Sequence, residues 1–259
     1  MQNLRIIKVG GNVINKDENL ERFLNDFAGF SGLQILVHGG GRTATELAKK
    51  LNINTQMIEG RRVTNAEMLD LCKMVYGGLI NKSIVAKLQS LNCNAIGMSG
   101  ADANMIPAEL KPKEPINYGF IGLPSEDKVP VDTLVSLLNA GLTPVFCALT
   151  HDGNGQLLNT NADTIASSLA IAASKKFNVE LVYCFEKNGV LMDAENDDSV
   201  IPQIDSALYE KLLQDKVIFE GMIPKMDNCF NALKKGVNSV VIKNADYLND
   251  TESGSKMHL

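Results

Sequence analysis

Short apolar runs rich in β-branched residues alternate along this chain with segments whose apolar positions recur at helical spacing. Several of the short runs are apolar at every position, as central strands of a parallel sheet are when both faces are covered. The pattern therefore predicts an α/β fold in which helices are layered on a mostly parallel sheet. The predicted strands are Arg5–Val9, Leu33–His38, Asn94–Met98, Thr143–Ala148, Val179–Phe185 and Ser239–Lys243. The predicted helices are Glu18–Phe27, Thr43–Leu51, Ala66–Leu91, Val131–Asn139, Ala162–Lys176, Ser206–Leu213 and Pro224–Lys235.

The stretch from residue 105 to residue 128 interrupts this alternation. Its four prolines and two glycines divide it into short extended pieces, which predicts one or two hairpins projecting from the sheet. Farther along, a long predicted helix ends and a new strand begins near residues 172–177. A division into two lobes is expected there, with an N-terminal lobe over residues 1–173 and a C-terminal lobe over residues 174–259.

The composition is that of an ordinary globular protein. Of the 259 residues, 45% are hydrophobic and 21% are charged, and the formal net charge is -5, so the chain lacks the overall positive charge of proteins that bind nucleic acid or anionic membranes. The five cysteines are dispersed and form no C-x-x-C pair, which indicates reduced thiols and no zinc site. No apolar run approaches the ~18 residues of a membrane span and no signal peptide is evident, so a cytoplasmic location is expected.

A lysine lies in the first predicted strand, just before two glycines. Lys8 is costly to bury among apolar neighbours unless an anion meets it. Gly10 and Gly11 leave backbone N–H groups free to approach a phosphate. The alternative is a lysine that reaches solvent before an ordinary turn, and this segment alone does not decide between the two.

Three consecutive glycines, Gly39–Gly41, join the second predicted strand to a helix. Anion sites in α/β folds usually lie at this kind of junction, where a helix begins at the carboxyl edge of the sheet. The segment also fits a weak dinucleotide-binding fingerprint, with Glu59 near the position of the ribose-binding acid, so a nicotinamide-dependent dehydrogenase remains an alternative. An esterase and a P-loop protein are disfavoured, because the chain has neither a G-x-S-x-G elbow nor a complete P-loop.

Two arginines precede the third predicted helix. The guanidinium of Arg61 or Arg62 can bind a carboxylate in a bidentate manner, which would suit a small acidic substrate. Paired arginines before a helix are, however, more often exposed surface charges.

Two later helices begin with polar residues in unusual combinations. Asn161 fits an N-cap and Asp163 suits the positive end of the helix dipole, but neither role explains Asn159. Pro224 fits the first position of the last helix, whereas Lys225 places a cation in a first turn where the dipole disfavours it. That cation indicates a nearby anion such as a nucleotide phosphate, and a solvated lysine is the alternative.

Taken in order, the motifs K-x-G-G, H-G-G-G, G-x-R-V-T, N-x-N-A-D and G-M-I-P-K resemble the amino-acid kinase superfamily and, within it, the N-acetylglutamate kinases. The resemblance covers essentially the whole chain, and the pieces Gly78-x-x-Asn81-Lys82 and Gly97-x-Ser99-Gly100-x-Asp102 also match the family. It implies a three-layer αβα fold whose N-terminal lobe binds the acyl amino acid and whose C-terminal lobe binds ATP. It further implies transfer of the γ-phosphate of MgATP to the side-chain carboxylate of N-acetylglutamate in arginine biosynthesis.

The resemblance also implies roles for individual residues. It places two catalytic lysines, Lys8 and Lys225, at the transferring phosphoryl group, with Asp163 orienting both. Further residues are expected at the acyl substrate (Gly40, Gly41, Arg62 and Asn159) and at the nucleotide (Gly10, Gly11, Glu186, Gly189 and Gly221). Magnesium is expected to be held mainly by phosphate oxygens and water, with no protein ligand. A dehydrogenase would leave both lysines, Asn159 and Asp163 without roles.

The chain departs from the family pattern next to the expected substrate arginine. The family commonly carries an apolar residue there, whereas this chain has Arg61. A second guanidinium would suit an acyl group with its own carboxylate, so N-succinylglutamate is an alternative acceptor and Arg61 a candidate substrate-binding residue. A side chain that points to solvent is the competing interpretation.

Two further departures concern the nucleotide side and the assembly. The family usually has Thr or Ser followed by Asp-Val where this chain reads Cys184–Asn188, so Glu186 displaces the carboxylate by one methylene, and an inactive kinase-like sensor remains an alternative. The final segment resembles the family's terminal G-x-G-T only loosely.

Lys8 lies so near the start that the N-terminal helix linking arginine-inhibited members into hexamers is not expected. A homodimer without arginine feedback is therefore predicted.

Overall fold

An eight-stranded, mostly parallel sheet runs through the middle of the molecule. The computed structural model describes residues 1–58, 61–218 and 222–259. In chain order the strands are β1 (Gln2–Val9), β2 (Leu33–His38), β3 (Met57–Ile58), β4 (Arg61–Arg62), β5 (Ala95–Met98), β6 (Ala108–Leu110), β7 (Gly122–Pro124), β8 (Thr143–Cys147), β9 (Leu149–His151), β10 (Leu157–Asn159), β11 (Phe177–Phe185), β12 (Gln203–Ile204), β13 (Ser239–Asn244) and β14 (Ser255–Met257). The main sheet has the order β12-β14-β13-β11-β1-β2-β8-β5, and β13–β14 is its only antiparallel pair among the described residues.

Helices cover both faces of this sheet. They are α1 (Gly11–Ile14), α2 (Asp17–Ala28), α3 (Gly41–Lys50), α4 (Ala66–Cys72), a π-helix (Lys73–Ile80), α5 (Asn81–Ser90), α6 (Val131–Asn139), α7 (Ala162–Ala173), α8 (Ser206–Gln214) and α9 (Ile223–Lys234). The α/β architecture expected from the alternation is thus confirmed, with β2 and α6 at their predicted bounds. None of the helices in the described parts of the chain is long and apolar enough to cross a membrane.

The centre of the core is formed by β1, β11 and α7. In β1, Leu4, Ile6, Ile7 and Val9 are buried, so strand formation here is driven by apolar contacts on both faces. Most residues of α7 are Ala or Ser, and all but one are buried. Small side chains let this helix approach the sheet and its neighbouring helices closely, which places its first turn at the carboxyl edge of β1.

The predicted helix over 66–91 is not a single α-helix. Residues 73–80 form a π-helix between α4 and α5, so the expectation of continuous α-helix is wrong there. Gly77 and Gly78 lie within it, and glycine lowers the steric cost of leaving α-helical geometry. The π-helix also packs Tyr76 and Ile80 against the backbone of Gly40, a tertiary contact that helical periodicity cannot reveal.

Short hairpins are attached to the sheet at the same end as the strand carboxyl ends. The antiparallel pair β6 and β7 confirms the hairpin predicted within residues 105–128. The pairs β3–β4 and β9–β10 were not predicted, because strands of two or three residues leave too short an alternation to recognise. All five cysteines are free and buried, as expected for reduced thiols.

Candidate active site

The predicted anion sites meet at the carboxyl ends of β1 and β2. These strands are parallel neighbours, and Val9 pairs with His38. Gly10 and Gly39 therefore follow directly at adjacent strand ends, about 5 Å apart in the direction of the sheet hydrogen bonds. The Gly10 N–H donates to the Cys184 carbonyl at 2.8 Å, which ties this turn to the end of β11.

The glycine loop, Gly39–Gly41, lies between two groups of polar side chains. A Cβ built on Gly39 would lie 3.8 Å from the Cβ of Ala162 in the first turn of α7. A Cβ on Gly41 would lie 3.8 Å from Nη2 of Arg62. Among the described residues no acceptor takes the N–H of Gly40 or Gly41, and Gly41 begins α3. The loop thus offers free donors at the positive end of a helix dipole, which is an anion-binding arrangement.

On one side of the loop, a carboxylate lies between two lysines. Asp163 Oδ1 is 2.8 Å from Lys8 Nζ, and its Oδ2 is 3.8 Å from Lys225 Nζ. Burial would raise the pKa of Asp163, but the two ammonium groups outweigh it and hold the pKa below its ordinary value. Asp163 is therefore ionised at neutral pH, and the cluster carries one positive charge in excess. This excess charge is available to a bound anion.

Local backbone contacts hold Asp163 at the start of α7. The Asn161 side chain accepts from the Asp163 N–H at 2.7 Å, which confirms the predicted N-cap. Tyr183 on β11 is fully buried, and its hydroxyl donates to the Asp163 carbonyl at 3.3 Å. The carboxylate is therefore fixed by the helix terminus as well as by the lysines.

On the other side of the loop, Arg62 and Asn159 are connected through Thr64. Arg62 is 9% exposed, and its Nη2 donates to the Gly41 carbonyl at 2.8 Å and to Thr45 Oγ1 at 2.7 Å. Asn159 Nδ2 donates to Thr64 Oγ1 at 2.9 Å, and the Thr64 hydroxyl donates to the Arg62 carbonyl at 3.3 Å. The structure thus brings together two residues that are far apart in sequence.

Arg61 does not join this group. Its side chain is exposed and makes no hydrogen bond or ion pair within residues 1–58, 61–218 and 222–259. Arg62 is the next residue of the same short strand, and consecutive side chains of a strand point to opposite faces. The buried position of Arg62 therefore directs Arg61 away from the glycine loop that Arg62 contacts.

The residues predicted to bind the nucleotide lie in different environments. Glu186 follows β11, and its Oε1 accepts from Asn12 Nδ2 at 2.5 Å, beside the turn of Gly10. Gly189 is tightly packed, since a Cβ there would lie 2.7 Å from Ser255 Oγ. Close packing against β14 therefore explains this glycine without a ligand. Gly221, like Glu59, lies outside the described residues.

Sequence reasoning missed several residues that complete the site. Asn12 directly follows the K-x-G-G motif and reaches Glu186, and Thr64 ends the G-x-R-V-T motif and links Arg62 to Asn159. The sequence signal for Asn12 and Thr64 is their position next to or within these motifs. Tyr76 carries no such signal, because it approaches Gly40 only through the π-helix.

Known proteins that match this chain identify its family. Residues 3–244 match the model of the amino acid kinase family. The chain belongs to this family. An acetylglutamate kinase from Cytophaga hutchinsonii is 57% identical over 249 residues, which cover 96% of this chain and 94% of the relative. One from Bacteroides thetaiotaomicron is 50% identical over 251 residues, which cover 97% of each chain.

A solved structure shows the same fold. The crystal structure of smu.665 from Streptococcus mutans UA159 superposes with a TM-score of 0.81 at 23% identity, covering 98% of each chain. The resemblance to amino acid kinases that the motifs indicated is thus confirmed, as is the class of enzyme, a phosphotransferase. Membership of this family gives no support to the dehydrogenase and sensor alternatives.

The close packing of Gly40 in this amino acid kinase yields a testable expectation. A Cβ at Gly40 would lie 2.5 Å from Ile80 Cδ1 and 2.7 Å from a Tyr76 ring carbon, and both side chains are buried. We expect Gly40→Ala to lower kcat by about 10- to 100-fold because the loop is displaced. Urea unfolding should show a loss of about 1–3 kcal/mol from overpacking.

Gly78→Ala is the matched control for Gly40→Ala. A Cβ at Gly78 meets no atom within 4 Å, and this residue lies in the adjacent π-helix. Its kcat and unfolding free energy should remain close to those of the wild type. Equal losses in the two variants would show that the contact with Tyr76 and Ile80 does not constrain the loop.

Proposed function

We propose that this protein transfers the γ-phosphate of ATP to the side-chain carboxylate of N-acetyl-L-glutamate, a step of arginine biosynthesis. The observation that carries the proposal is the placement of Asp163 between Lys8 and Lys225, beside the free N–H groups of the glycine loop. The names of the relatives with 57% and 50% identity support the choice of acceptor.

The charges of the site suit the meeting of two anions. Phosphoryl transfer requires little covalent chemistry from the protein, so catalysis depends on alignment and on neutralising charge. Lys8 and Lys225 approach the transferring group from two elements, and Asp163 holds their ammonium groups in place. The N–H groups of Gly11, Gly40 and Gly41 donate to phosphate or to the reacting carboxylate.

The residues beyond the glycine loop suit the acyl amino acid. Arg62 binds the α-carboxylate through its guanidinium, and Asn159 binds the acylamide. The loop separates this pair from the lysines, so an acceptor held there extends its side-chain carboxylate toward the excess positive charge. Arg61 is exposed and directed away from Arg62, which favours an acetyl group over a succinyl group that needs its own cation.

Each of the two lobes binds one of the two substrates. Residues 1–173 supply Arg62, Asn159 and the glycine loop for the acceptor, and residues 174–259 supply Lys225 and Glu186 for the nucleotide. The free N–H groups and lysines fit the polyphosphate of ATP, with Gly10 and Gly11 forming nearby backbone. Bound Mg²⁺ would neutralise charge on the phosphates and would be held mainly by their oxygens and by water.

A homodimer is part of the proposal. Met74 and Leu79 are 56% and 57% exposed on the helical segment over residues 66–90, which packs beside β5 at one edge of the main sheet. A second copy seated on this face would remove both side chains from water. Sedimentation equilibrium should give twice the 28.1 kDa mass of one chain, and the mass of a single chain would refute the dimer.

Coupled measurement of ADP release tests the function. N-acetylglutamate, N-succinylglutamate, glutamate, aspartate and UMP should be offered in turn, to the wild type and to Arg61→Leu. We expect the highest kcat/KM for N-acetylglutamate in both proteins. A preference for N-succinylglutamate that Arg61→Leu abolishes would establish the other acceptor. Binding of ATP without turnover of any acceptor would establish an inactive, sensor-like protein.

A further inference from the structure

His38, the first residue of the H-G-G-G motif, is buried and has no part in the function proposed above. Its Nδ1 lies 2.8 Å from the Gly39 carbonyl oxygen. A carbonyl only accepts, so Nδ1 carries the hydrogen and Nε2 is an acceptor. Asn81 Nδ2 lies 3.0 Å from that Nε2 and also donates to the Val145 carbonyl at 2.9 Å.

This pattern holds the imidazole neutral. Protonation of Nε2 would direct a second N–H at the Asn81 amide nitrogen, which has no lone pair to accept it. Complete burial lowers the pKa of His38 to about 4, although the bond to Gly39 acts in the opposite direction. At neutral pH, His38 is therefore a fixed donor toward Gly39 and a fixed acceptor from Asn81.

The bond from His38 determines how the next peptide faces. The C=O and the N–H of a trans peptide point in opposite directions. Because the Gly39 carbonyl points back toward His38, the Gly40 N–H points away from the imidazole. That N–H has no acceptor among the described residues and lies where α3, a helix of ten residues, begins. It is the donor that a phosphoryl oxygen requires.

Asn81 reaches His38 only because β5 provides space. A Cβ on Gly97 would overlap the Asn81 amide oxygen, so glycine is required at this point of β5. Asn81 follows the π-helix whose Tyr76 ring encloses Gly40 from another direction. Residues 38, 81 and 97 belong to three separate sequence motifs. In the structure they form one contact network beneath the glycine loop.

We propose that His38 and Asn81 are positioning residues for phosphoryl transfer, which lock the Gly39–Gly40 peptide so that the Gly40 N–H faces the transferring group. The proposal rests on the kinase function given above. The peptide is locked before substrate binds, so no reorganisation is needed when charge develops. The effect is therefore expected in kcat rather than in KM.

Two substitutions of His38 separate positioning from stability. In His38→Asn the side-chain amide reaches the place of Nδ1 and can still donate to Gly39, but the acceptor for Asn81 is lost. In His38→Gln the amide reaches the place of Nε2 and can still meet Asn81, but the donor to Gly39 is lost. Each variant keeps one of the two bonds, so a similar fall in Tm is expected in both.

Turnover should distinguish the variants. With saturating ATP and N-acetylglutamate, we expect His38→Gln to lose about 10- to 100-fold in kcat and His38→Asn less than about fivefold, with both KM values nearly unchanged. Inhibition by ADP with aluminium fluoride, a mimic of the transferring phosphoryl group, should weaken in His38→Gln in parallel with kcat.

Other outcomes would overturn either the positioning role or the proposed function. Equal kcat in the two variants, together with equal Tm, would overturn the positioning role and leave a structural one. A greater loss in His38→Asn would overturn it as well. Absence of N-acetylglutamate turnover in the wild type would instead refute the proposed function, so the two failures are distinguishable.

Discussion

Replacing Lys225 with alanine is expected to lower kcat by about 100- to 1,000-fold, the effect of removing one preorganised group that stabilises transition-state charge. The lysine lies 3.8 Å from Asp163 and contributes to the excess positive charge of the cluster. Because the proposed role of that charge is to stabilise the transferring phosphoryl group, KM for N-acetylglutamate should change by less than about threefold. Steady-state assay of ADP release, with each substrate varied, measures both quantities.

Lys234→Ala is the control for this experiment. Lys234 lies in the last turn of the same helix, α9, and is exposed. Its removal should leave kcat and KM close to the wild-type values. Lys8→Ala should resemble Lys225→Ala in kcat. A defect confined to KM in both active-site variants would show that the lysines only bind substrate and do not act on the transition state.

Replacing Asp163 with asparagine is expected to reduce both activity and stability. Asp163 is 7% exposed, and it is the carboxylate that pairs with Lys8 and Lys225. Without its charge the two ammonium groups repel each other and lose their orientation, so kcat should fall by about 100-fold or more. Breaking a buried ion pair by removing one partner costs about 3–5 kcal/mol, and we expect a loss near the lower limit because Lys225 is partly exposed.

The stability difference between wild type and Asp163→Asn should depend on pH. The pKa of Asp163 is lower in the folded protein than in the unfolded chain. Its stabilising contribution is therefore complete above the unfolded pKa near 4 and is lost as the pH falls through the lower, folded value. Urea unfolding of both proteins should show a constant difference between pH 7 and about pH 5 and a smaller one toward pH 3.

Asp127→Asn provides the comparison for an exposed carboxylate. Asp127 pairs with Lys175 at 3.3 Å, and its side chain is 84% exposed. Surface pairs of this kind contribute little, so the variant should unfold with nearly the wild-type midpoint. An Asp163→Asn protein that matched Asp127→Asn in stability at pH 7 would contradict a buried, charge-paired role for Asp163.

Much of the fold could be predicted because its strands are apolar on both faces. Leu33–His38 was predicted at its observed bounds, since buried parallel strands form continuous apolar runs between loops. Lys8 stood out for the same reason, as a cation within such a run. The π-helix over Lys73–Ile80 could not be recognised, because its apolar positions resemble those of an ordinary helix.

The candidate site was predictable as a set of motifs but not as a geometry. The family motifs named Lys8, Asp163 and Lys225, but the three meet only because α7 packs against both β1 and α9. The separation of Arg61 from Arg62 depends on which face of a two-residue strand is buried, which the sequence does not specify. The contact between His38 and Asn81 joins residues 43 positions apart, and no local pattern signals it.

The catalytic role proposed for Lys8, Asp163 and Lys225 makes activity depend on the folding of the whole chain. One member comes from the first strand, one from the central helix α7 and one from the last long helix, α9. A fragment or folding intermediate in which only residues 1–173 or only residues 174–259 are ordered has at most two of the three charges. Recovery of activity during refolding should therefore coincide with completion of the entire fold and lag behind the return of secondary structure in either part of the chain.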